Sequence, residues 1–221
     1  MEDFVEFFLV PAFFVHTVAT VALLAWWFIR KSEAQAVFRY FGWGLTGYSL
    51  AFVAWTLVVL LKPDDLAPGI LVGVVPFLLG NLGFARAAGR NPEAGGMSPL
   101  MILTLVLIAA TFISRTFWYE SEPYFSDEGL LYFGLQPIPV AFYIATIAVS
   151  FLPAIWRVVP AFTDQRLRLI MGVSFNTFFI NAIILVSAAE HALLMVNGFV
   201  LSAAAILAWS HAIKSWNVRN V

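Results

Sequence analysis

The chain has 221 residues, of which 62% are hydrophobic and only 11% are charged, and its mean hydropathy is +0.89. A soluble domain needs about a quarter of its residues charged, so this composition excludes one and predicts a single membrane domain. The net charge of −1, without any basic run, gives no indication of a nucleic-acid partner. The lack of cysteine excludes disulfides, iron–sulfur clusters and thiolate zinc sites.

Seven apolar runs predict an all-α protein, a polytopic bundle of seven transmembrane helices. Each run is close to the ~20 residues that cross ~30 Å of hydrocarbon. The predicted spans, which together make up the single domain 1–221, are 7–29, 40–61, 69–86, 99–116, 130–156, 168–188 and 192–213. The acidic start Met1-Glu2-Asp3 and the length of the first run favour a permanent span over a cleaved signal peptide.

Positive charge is divided unevenly between the two sides of the predicted bundle. Ten of the twelve lysines and arginines fall on one side, which the positive-inside rule assigns to the cytoplasm. The N-terminus is therefore expected outside and the C-terminus inside, in a multi-pass protein of the cell membrane embedded in the lipid bilayer. Lys62 and Arg115 are the two exceptions. We expect Arg115 to lie at the outer boundary, paired with Glu120 or Glu122, because a charge at a span end is least costly when paired.

Small and polar residues in the spans predict how helices contact one another. Glycines recur in the second and third spans, at Gly42, Gly44, Gly47, Gly69, Gly73, Gly80 and Gly83. Such glycines let two backbones approach closely in lipid, an interpretation favoured here over a ligand groove. In the sixth span Ser174, Thr177 and Asn181 form one stripe, which predicts hydrogen bonds to a neighbouring helix.

The longest outer segment, residues 117–128, is rich in aromatic and acidic side chains. Aromatic side chains at this depth are typical of an interfacial belt, and a lid over an outer cavity is the alternative. The fifth span follows and opens Gln136-Pro137-Ile138-Pro139. Two prolines within a span release carbonyl groups of the preceding turn, so we expect the outer half of this helix to pack poorly.

Polar side chains in the outer halves of several spans suggest a ligand site. Because such groups avoid lipid, we expect His16, Tyr143 and Asn197 to converge there, and a closed bundle in which each bonds a neighbouring carbonyl is the alternative. The full set of candidate ligand-binding residues is His16, Gln136, Tyr143, Glu190, His191 and Asn197.

Cofactors are not expected at these residues. His16 lies near mid-membrane, His191 at the outer edge and His211 at the inner edge, so no two histidines bracket a haem iron at a common depth. A metal site from His16, Glu190 and His191 is also disfavoured, because adjacent residues of a helix do not face one point.

The predicted topology resembles that of the rhodopsins in helix number and orientation. Their retinal is held as a Schiff base by a lysine within the seventh span, whereas the lysines here are Lys31, Lys62 and Lys214, all at span ends. Retinal is therefore not expected. Small seven-helix sugar transporters are also similar in length and orientation, but their proline–glutamine signature is replaced here by Gln136-Pro137.

Three functions are compatible with the sequence, and catalysis is not favoured because the spans contain no catalytic triad, HExxH motif or phosphate loop. The first is a receptor-like or sensory module that binds a small or lipophilic ligand and signals through a separate cytoplasmic partner. The second is a facilitative transporter of two parallel three-helix repeats, suggested by a faint similarity between residues 12–27 and 141–156. The third is an accessory subunit that packs against other membrane subunits.

Overall fold

The structure is a computed structural model that describes residues 10–30, 36–61, 63–93, 95–117, 123–125, 131–132, 137–162, 164–166 and 168–173. Before Val21, side chains are described only at Val15, Val18 and Ala19. The protein is mostly helical. Apart from residues 168–173, the predicted sixth and seventh spans lie outside this description, so the count of seven helices and their orientation stay predictions.

Five long helices follow one another along the described chain. They are α1 (Val10–Arg30), α2 (Ala36–Leu61), α3 (Ala67–Ala88), α4 (Pro99–Phe117) and α5 (Pro137–Val158). A two-stranded antiparallel hairpin of β1 (Tyr124–Phe125) and β2 (Leu131–Tyr132) lies between α4 and α5. A 3₁₀ turn (Val159–Ala161) and a helical segment at 168–173 follow α5. Below, outer and inner denote the ends of the bundle that the predicted topology assigns to the outside and the cytoplasm.

The first four predicted spans agree with α1 to α4 within four residues at each end. The fifth does not, because residues 131–132 form a strand and the helix begins at Pro137 rather than at 130. Pro137 and Pro139 therefore lie in the first turn, where the missing N–H costs no helical hydrogen bond. The prediction that they interrupt the helix is wrong. The proline inside α5 is Pro153, near the inner end.

Helix α3 is the centre of the described bundle, since it packs against α2, α4 and α5, while α1 packs on α2. Aromatic rings fill the space between these helices. Tyr48 of α2 stacks on Phe77 of α3 with ring centroids 4.4 Å apart, and Phe84 meets Phe151 of α5 at 4.8 Å. These large rings are fully buried and hold α2, α3 and α5 together through dispersion and excluded lipid contact.

The backbones of α2 and α3 approach closely, as the glycine pattern predicts. A β-carbon added at Gly47 would lie 2.6 Å from the carbonyl oxygen of Pro76 and 2.7 Å from the Cα atom of Gly80. A β-carbon on Gly83 would lie 2.6 Å from the backbone nitrogen of Gly44. The neighbouring atoms are backbone and cannot move aside, so close helix contact is confirmed for these glycines.

The exposed surface of the described helices is apolar, whereas the exposed surface of a soluble bundle is polar. Within the described part of the chain, four helices are long and apolar enough to span a membrane by length and composition, namely Ala36–Leu61, Ala67–Ala88, Pro99–Phe117 and Pro137–Ala161. Helix α4 illustrates the pattern, because its exposed side chains include Ile102, Leu105, Val106 and Ile113, whereas Thr104, Thr111, Ser114 and Arg115 are buried. Such a surface suits hydrocarbon, where polar groups turn inward.

Arginines organise the inner turn between α3 and α4. Arg157 of α5 donates from Nη1 to the carbonyl oxygen of Gly89 at 2.7 Å, just beyond the C-terminus of α3. Arg86 donates from Nε to the carbonyl of Pro92 at 2.7 Å and from Nη1 to that of Gly96. Cations are favourable at a helix C-terminus, because the last carbonyls carry partial negative charge. This turn is consequently tied to both α3 and α5.

Candidate functional site

One face of α5 carries polar side chains into the bundle. Tyr143, Thr146 and Ser150 are spaced i, i+3 and i+7, which places them on one side of a helix. All three are buried. They extend from the outer half of α5 to just past its middle, over about 10 Å at 1.5 Å per residue. Each makes a hydrogen-bond contact with a different neighbour, so this face forms a continuous polar strip inside an apolar bundle.

At its inner end the strip contacts Asn81, a fully buried residue of α3. The Oδ1 atom of Asn81 accepts hydrogen bonds from Tyr48 Oη at 3.0 Å and from Ser150 Oγ at 2.7 Å. Its Nδ2 atom donates to the carbonyl oxygen of Phe77, one turn back, at 2.8 Å. One amide thereby joins α2, α3 and α5, and both of its ends are satisfied in an apolar surrounding where an unmade bond is costly.

The middle of the strip is a weaker contact between α4 and α5. The hydroxyl oxygens of Thr111 and Thr146 are 3.4 Å apart. Each hydroxyl also donates to a carbonyl of its own helix at 2.7 Å, Thr111 to Leu107 and Thr146 to Phe142. Because a hydroxyl has one proton, the bond between the helices forms only when one threonine gives up its intrahelical bond. This part of the interface therefore has two arrangements of similar chemistry.

At its outer end the strip meets a buried cation. Arg115, in the last turn of α4, is only 6% exposed, and its Nη1 atom donates to Tyr143 Oη at 3.2 Å. Tyr143 is buried in turn, with its ring 6.4 Å from that of Phe77. Ionisable groups inside a span are costly and usually belong to a binding site or an ion pathway. The Arg115–Tyr143 pair is therefore the strongest candidate site in the described part of the chain.

The outer hairpin lies on the same side of the bundle as this pair. Tyr124 faces Tyr132 and Phe125 faces Leu131 across the two strands. Pro123 is buried, and Phe125 is partly buried against the core, while Tyr124 is exposed. A segment predicted as an aromatic belt or a lid thus contains a hairpin that packs one aromatic side chain onto the helices.

Of the six predicted ligand-site residues, the structure describes the side chain of Tyr143 alone. His16 lies within α1, but its side chain is outside the described part of the chain, as are Gln136, Glu190, His191 and Asn197. The convergence of His16, Tyr143 and Asn197 stays a prediction. The expected partners of Arg115, Glu120 and Glu122, also lie outside the description, and the contact that is described is with Tyr143.

Most residues of the buried polar strip, and its partners on α2, α3 and α4, were not predicted as site residues from the sequence. These residues are Tyr48, Asn81, Thr111, Thr146 and Ser150. A signal existed, because Tyr143, Thr146 and Ser150 have the spacing that identified the stripe of the sixth span. Nothing in the local sequence indicated which helices these residues would face. That information requires the tertiary arrangement.

The strip offers hydroxyl, amide and guanidinium groups, which bind and orient polar atoms. Among the described residues, no group of three histidine, aspartate or glutamate side chains could hold a metal ion. The comparisons with known proteins add no relative, because no protein-family model, curated protein or solved structure matches the chain. What the fold and site define is a membrane-type helical bundle with a buried polar strip.

Proposed function

We propose that this protein is a multi-pass protein of the cell membrane that acts as a receptor-like or sensory module. Its ligand would be small or lipophilic and would bind in the outer half of the bundle. The observation that carries the proposal is the buried Arg115 guanidinium, hydrogen-bonded to Tyr143 near the outer hairpin. Tyr143 belongs to the ligand site that the sequence predicts independently.

The chemistry of the pair suits the polar head of an amphiphilic ligand. A guanidinium has five N–H donors in a planar fork, and Tyr143 adds a hydroxyl that both donates and accepts. The Phe77 ring lies 6.4 Å from the Tyr143 ring, and Phe125 of the hairpin is partly buried against the core, so both offer apolar surface that suits an apolar body. Ligand sites typically combine such apolar walls with a few polar groups that set orientation.

Helix α5 provides a route by which binding would reach the cytoplasmic side. Tyr143, Ser150 and Arg157 are spaced by seven residues, and they contact Arg115, Asn81 and the inner turn respectively. The distance from Tyr143 to Arg157 is about 21 Å along the helix. A ligand that drew Arg115 away from Tyr143 would shift α5 relative to α4 and move the carbonyls that Arg157 holds. A separate signalling partner would read this movement.

The test is ligand-induced stabilisation of the full chain in lipid nanodiscs. Dodecanoate and dodecanol serve as probes with the same apolar body and different heads. At a concentration 100 times the Kd, a ligand specific for the native state stabilises it by about 2.7 kcal/mol, which raises Tm by several degrees. We expect a saturable rise in Tm with at least one probe. In Arg115→Gln and Tyr143→Phe, we expect the rise in Tm to be at least tenfold smaller.

The control variant is Thr116→Val, which changes the exposed neighbour of Arg115, whose hydroxyl donates to the Phe112 carbonyl of its own helix at 3.0 Å. It should respond as the wild type does. If neither probe raises Tm, or if Arg115→Gln and Tyr143→Phe respond normally, the receptor proposal is wrong.

A facilitative transporter is the second candidate, and the hydroxyl groups along the inside of α5 favour it. A neutral polar solute could exchange hydrogen bonds with Thr146, Ser150 and Asn81 as it crossed. Uptake of labelled glycerol and glucose into proteoliposomes tests this candidate, with Asn81→Leu as the blocking variant. Saturable uptake that this variant abolishes would replace the receptor proposal. If neither binding nor uptake is observed, the remaining role is that of an accessory subunit in a membrane complex.

A further inference from the structure

We propose that the exposed face of α1 binds one anionic phospholipid of the inner leaflet, with the headgroup phosphate at Arg30 and an acyl chain along the helix. This inference is independent of the receptor proposal, because it uses the opposite end of the bundle and a different helix. The ligand is a lipid rather than a soluble anion, because the site joins a cation to a long apolar surface.

The apolar part of the site is a single exposed stripe. Its members share spacings of three, four and seven residues, which place them on one side of α1. They are Val15, Ala19, Ala22, Leu23, Trp26 and Arg30, and all of them are exposed. From Ala19 to Arg30 the stripe is about 16 Å long, close to the ~15 Å half-thickness of the hydrocarbon. An acyl chain of one leaflet therefore matches its length.

The polar end of the stripe is held in place by an aromatic ring. The guanidinium carbon of Arg30 lies 4.9 Å from the centroid of the Trp26 ring, and Trp26 is 57% exposed. A guanidinium near a ring face gains cation–π attraction there, and its N–H groups can still donate to a phosphate in bidentate fashion. Tryptophan prefers the level of lipid headgroups, so this pair marks the depth where a phosphate would lie.

Further cations lie at the same end of α1. Phe162, which follows the 3₁₀ turn, stacks on Trp27 and Phe38 at 5.9 and 5.5 Å, so this segment lies against the inner ends of α1 and α2. Arg168 donates from Nη2 to the Phe162 carbonyl at 2.8 Å, and Arg166 is exposed. The described acid of the segment is Asp164, whose side chain accepts the Arg166 backbone N–H at 2.8 Å. Over the described residues of this segment, two arginines against one aspartate leave a positive charge that complements a lipid phosphate.

Retention of phosphatidylglycerol against phosphatidylcholine by the full chain tests the proposal. The chain is placed in nanodiscs of mixed composition, extracted, and its bound lipid counted by native mass spectrometry. An arginine held at the level of the headgroups, close to the lipid phosphate, changes the binding of anionic lipid about fivefold. We expect Arg30→Gln to retain about fivefold less phosphatidylglycerol than the wild type. Trp26→Leu should retain at least twofold less, because the Arg30 guanidinium is no longer held by the ring.

Arg90→Gln is the matched control, since it removes the same charge from an exposed inner position beyond the end of α3. It should change retention by less than twofold. Equal losses in Arg30→Gln and Arg90→Gln would indicate a diffuse basic surface and overturn the site, as would unchanged retention in Arg30→Gln. Displacement of the lipid by millimolar glycerol 3-phosphate would also overturn it, because an acyl chain would then contribute nothing. Unfolding midpoints in pure phosphatidylcholine verify that each variant is folded.

Discussion

Asn81 uses both ends of its amide in a fully buried position, with Tyr48 and Ser150 as donors and the Phe77 carbonyl as acceptor. In lipid, a hydrogen bond between helices contributes only about 0.6 kcal/mol on average, because separated helices also find partners. The Asn81 amide bonds two other helices at once, so its loss removes the contacts to α2 and α5 together, although the Ser150 hydroxyl keeps the Thr146 carbonyl as an acceptor at 2.8 Å. Asn81 is therefore the residue at which a small change should disturb three helices.

We expect Asn81→Ala to reduce the free energy of unfolding by about 2 kcal/mol, because the interhelical bonds and the side-chain packing are lost together. Tyr48→Phe and Ser150→Ala should each cost less, about 0.5–1.5 kcal/mol, since each removes one donor to the same oxygen. Unfolding of the full chain in mixed micelles with increasing dodecyl sulfate measures these differences.

Thr56→Val is the control for these variants, because the Thr56 hydroxyl bonds the carbonyl of Phe52 in its own helix at 2.6 Å. It is also buried, so burial alone does not distinguish it from Asn81. A change near zero is expected. A cost for Thr56→Val as large as that for Asn81→Ala would show that contact between helices is not what makes Asn81 important.

At the scale of helices, α2 and α3 form the tightest pair, and glycines make this possible. A β-carbon at Gly80 would lie 2.7 Å from the carbonyl oxygen of Gly44 and 3.1 Å from the Tyr48 ring. Alanine favours a helix by about 1 kcal/mol over glycine, so a replacement without packing conflict should stabilise. The sign of the change therefore separates packing from helix propensity.

Gly80→Ala should destabilise the protein by about 1–3 kcal/mol, because overpacking against a backbone forces the two helices apart. Gly95→Ala is the control for the same substitution in open space, since Gly95 lies in the inner turn and a β-carbon there would meet nothing within 4 Å. The same dodecyl sulfate titration should find this control within about 0.5 kcal/mol of the wild type. A stabilised Gly80→Ala would contradict the close approach of α2 and α3.

At the scale of the whole molecule, the predicted topology assigns both ends of every helix to one or the other side of the membrane. In this topology the four described helices suited to a membrane by length and composition would alternate in direction along the chain. The positive-inside rule predicts that the turn 89–98 lies in the cytoplasm and the hairpin outside. The candidate site at Arg115 would then face the exterior, and the proposed lipid site at Arg30 the inner leaflet.

We expect a protease-cleavable tag at Val221 to resist externally added protease in intact cells, because the C-terminus is predicted to lie inside. A tag inserted beside Glu122 should be cut under the same conditions. Cleavage of both tags after the membrane is permeabilised controls for access. The reverse pattern, with Val221 cut and Glu122 protected, would overturn the orientation and the helix assignment on which it rests.

The sequence by itself determined the composition of the bundle, the bounds of its first four helices within a few residues, and the close approach of glycine faces. These features follow from local physics, since span length and small-residue spacing act along one helix. The start of α5 was misplaced, because apolar residues before Pro137 are as compatible with a hairpin as with a helix.

Only the tertiary structure decided which polar faces meet. Asn81 is separated by 33 residues from Tyr48 and by 69 from Ser150 along the chain. Arg115 donates to the hydroxyl of a tyrosine 28 residues away, a contact that the local sequence does not indicate. A polar side chain in an apolar helix needs a hydrogen-bond partner. The local sequence predicts that such a bond exists but does not identify the partner. The partner depends on how the helices pack, which the glycine contacts and aromatic rings between them set.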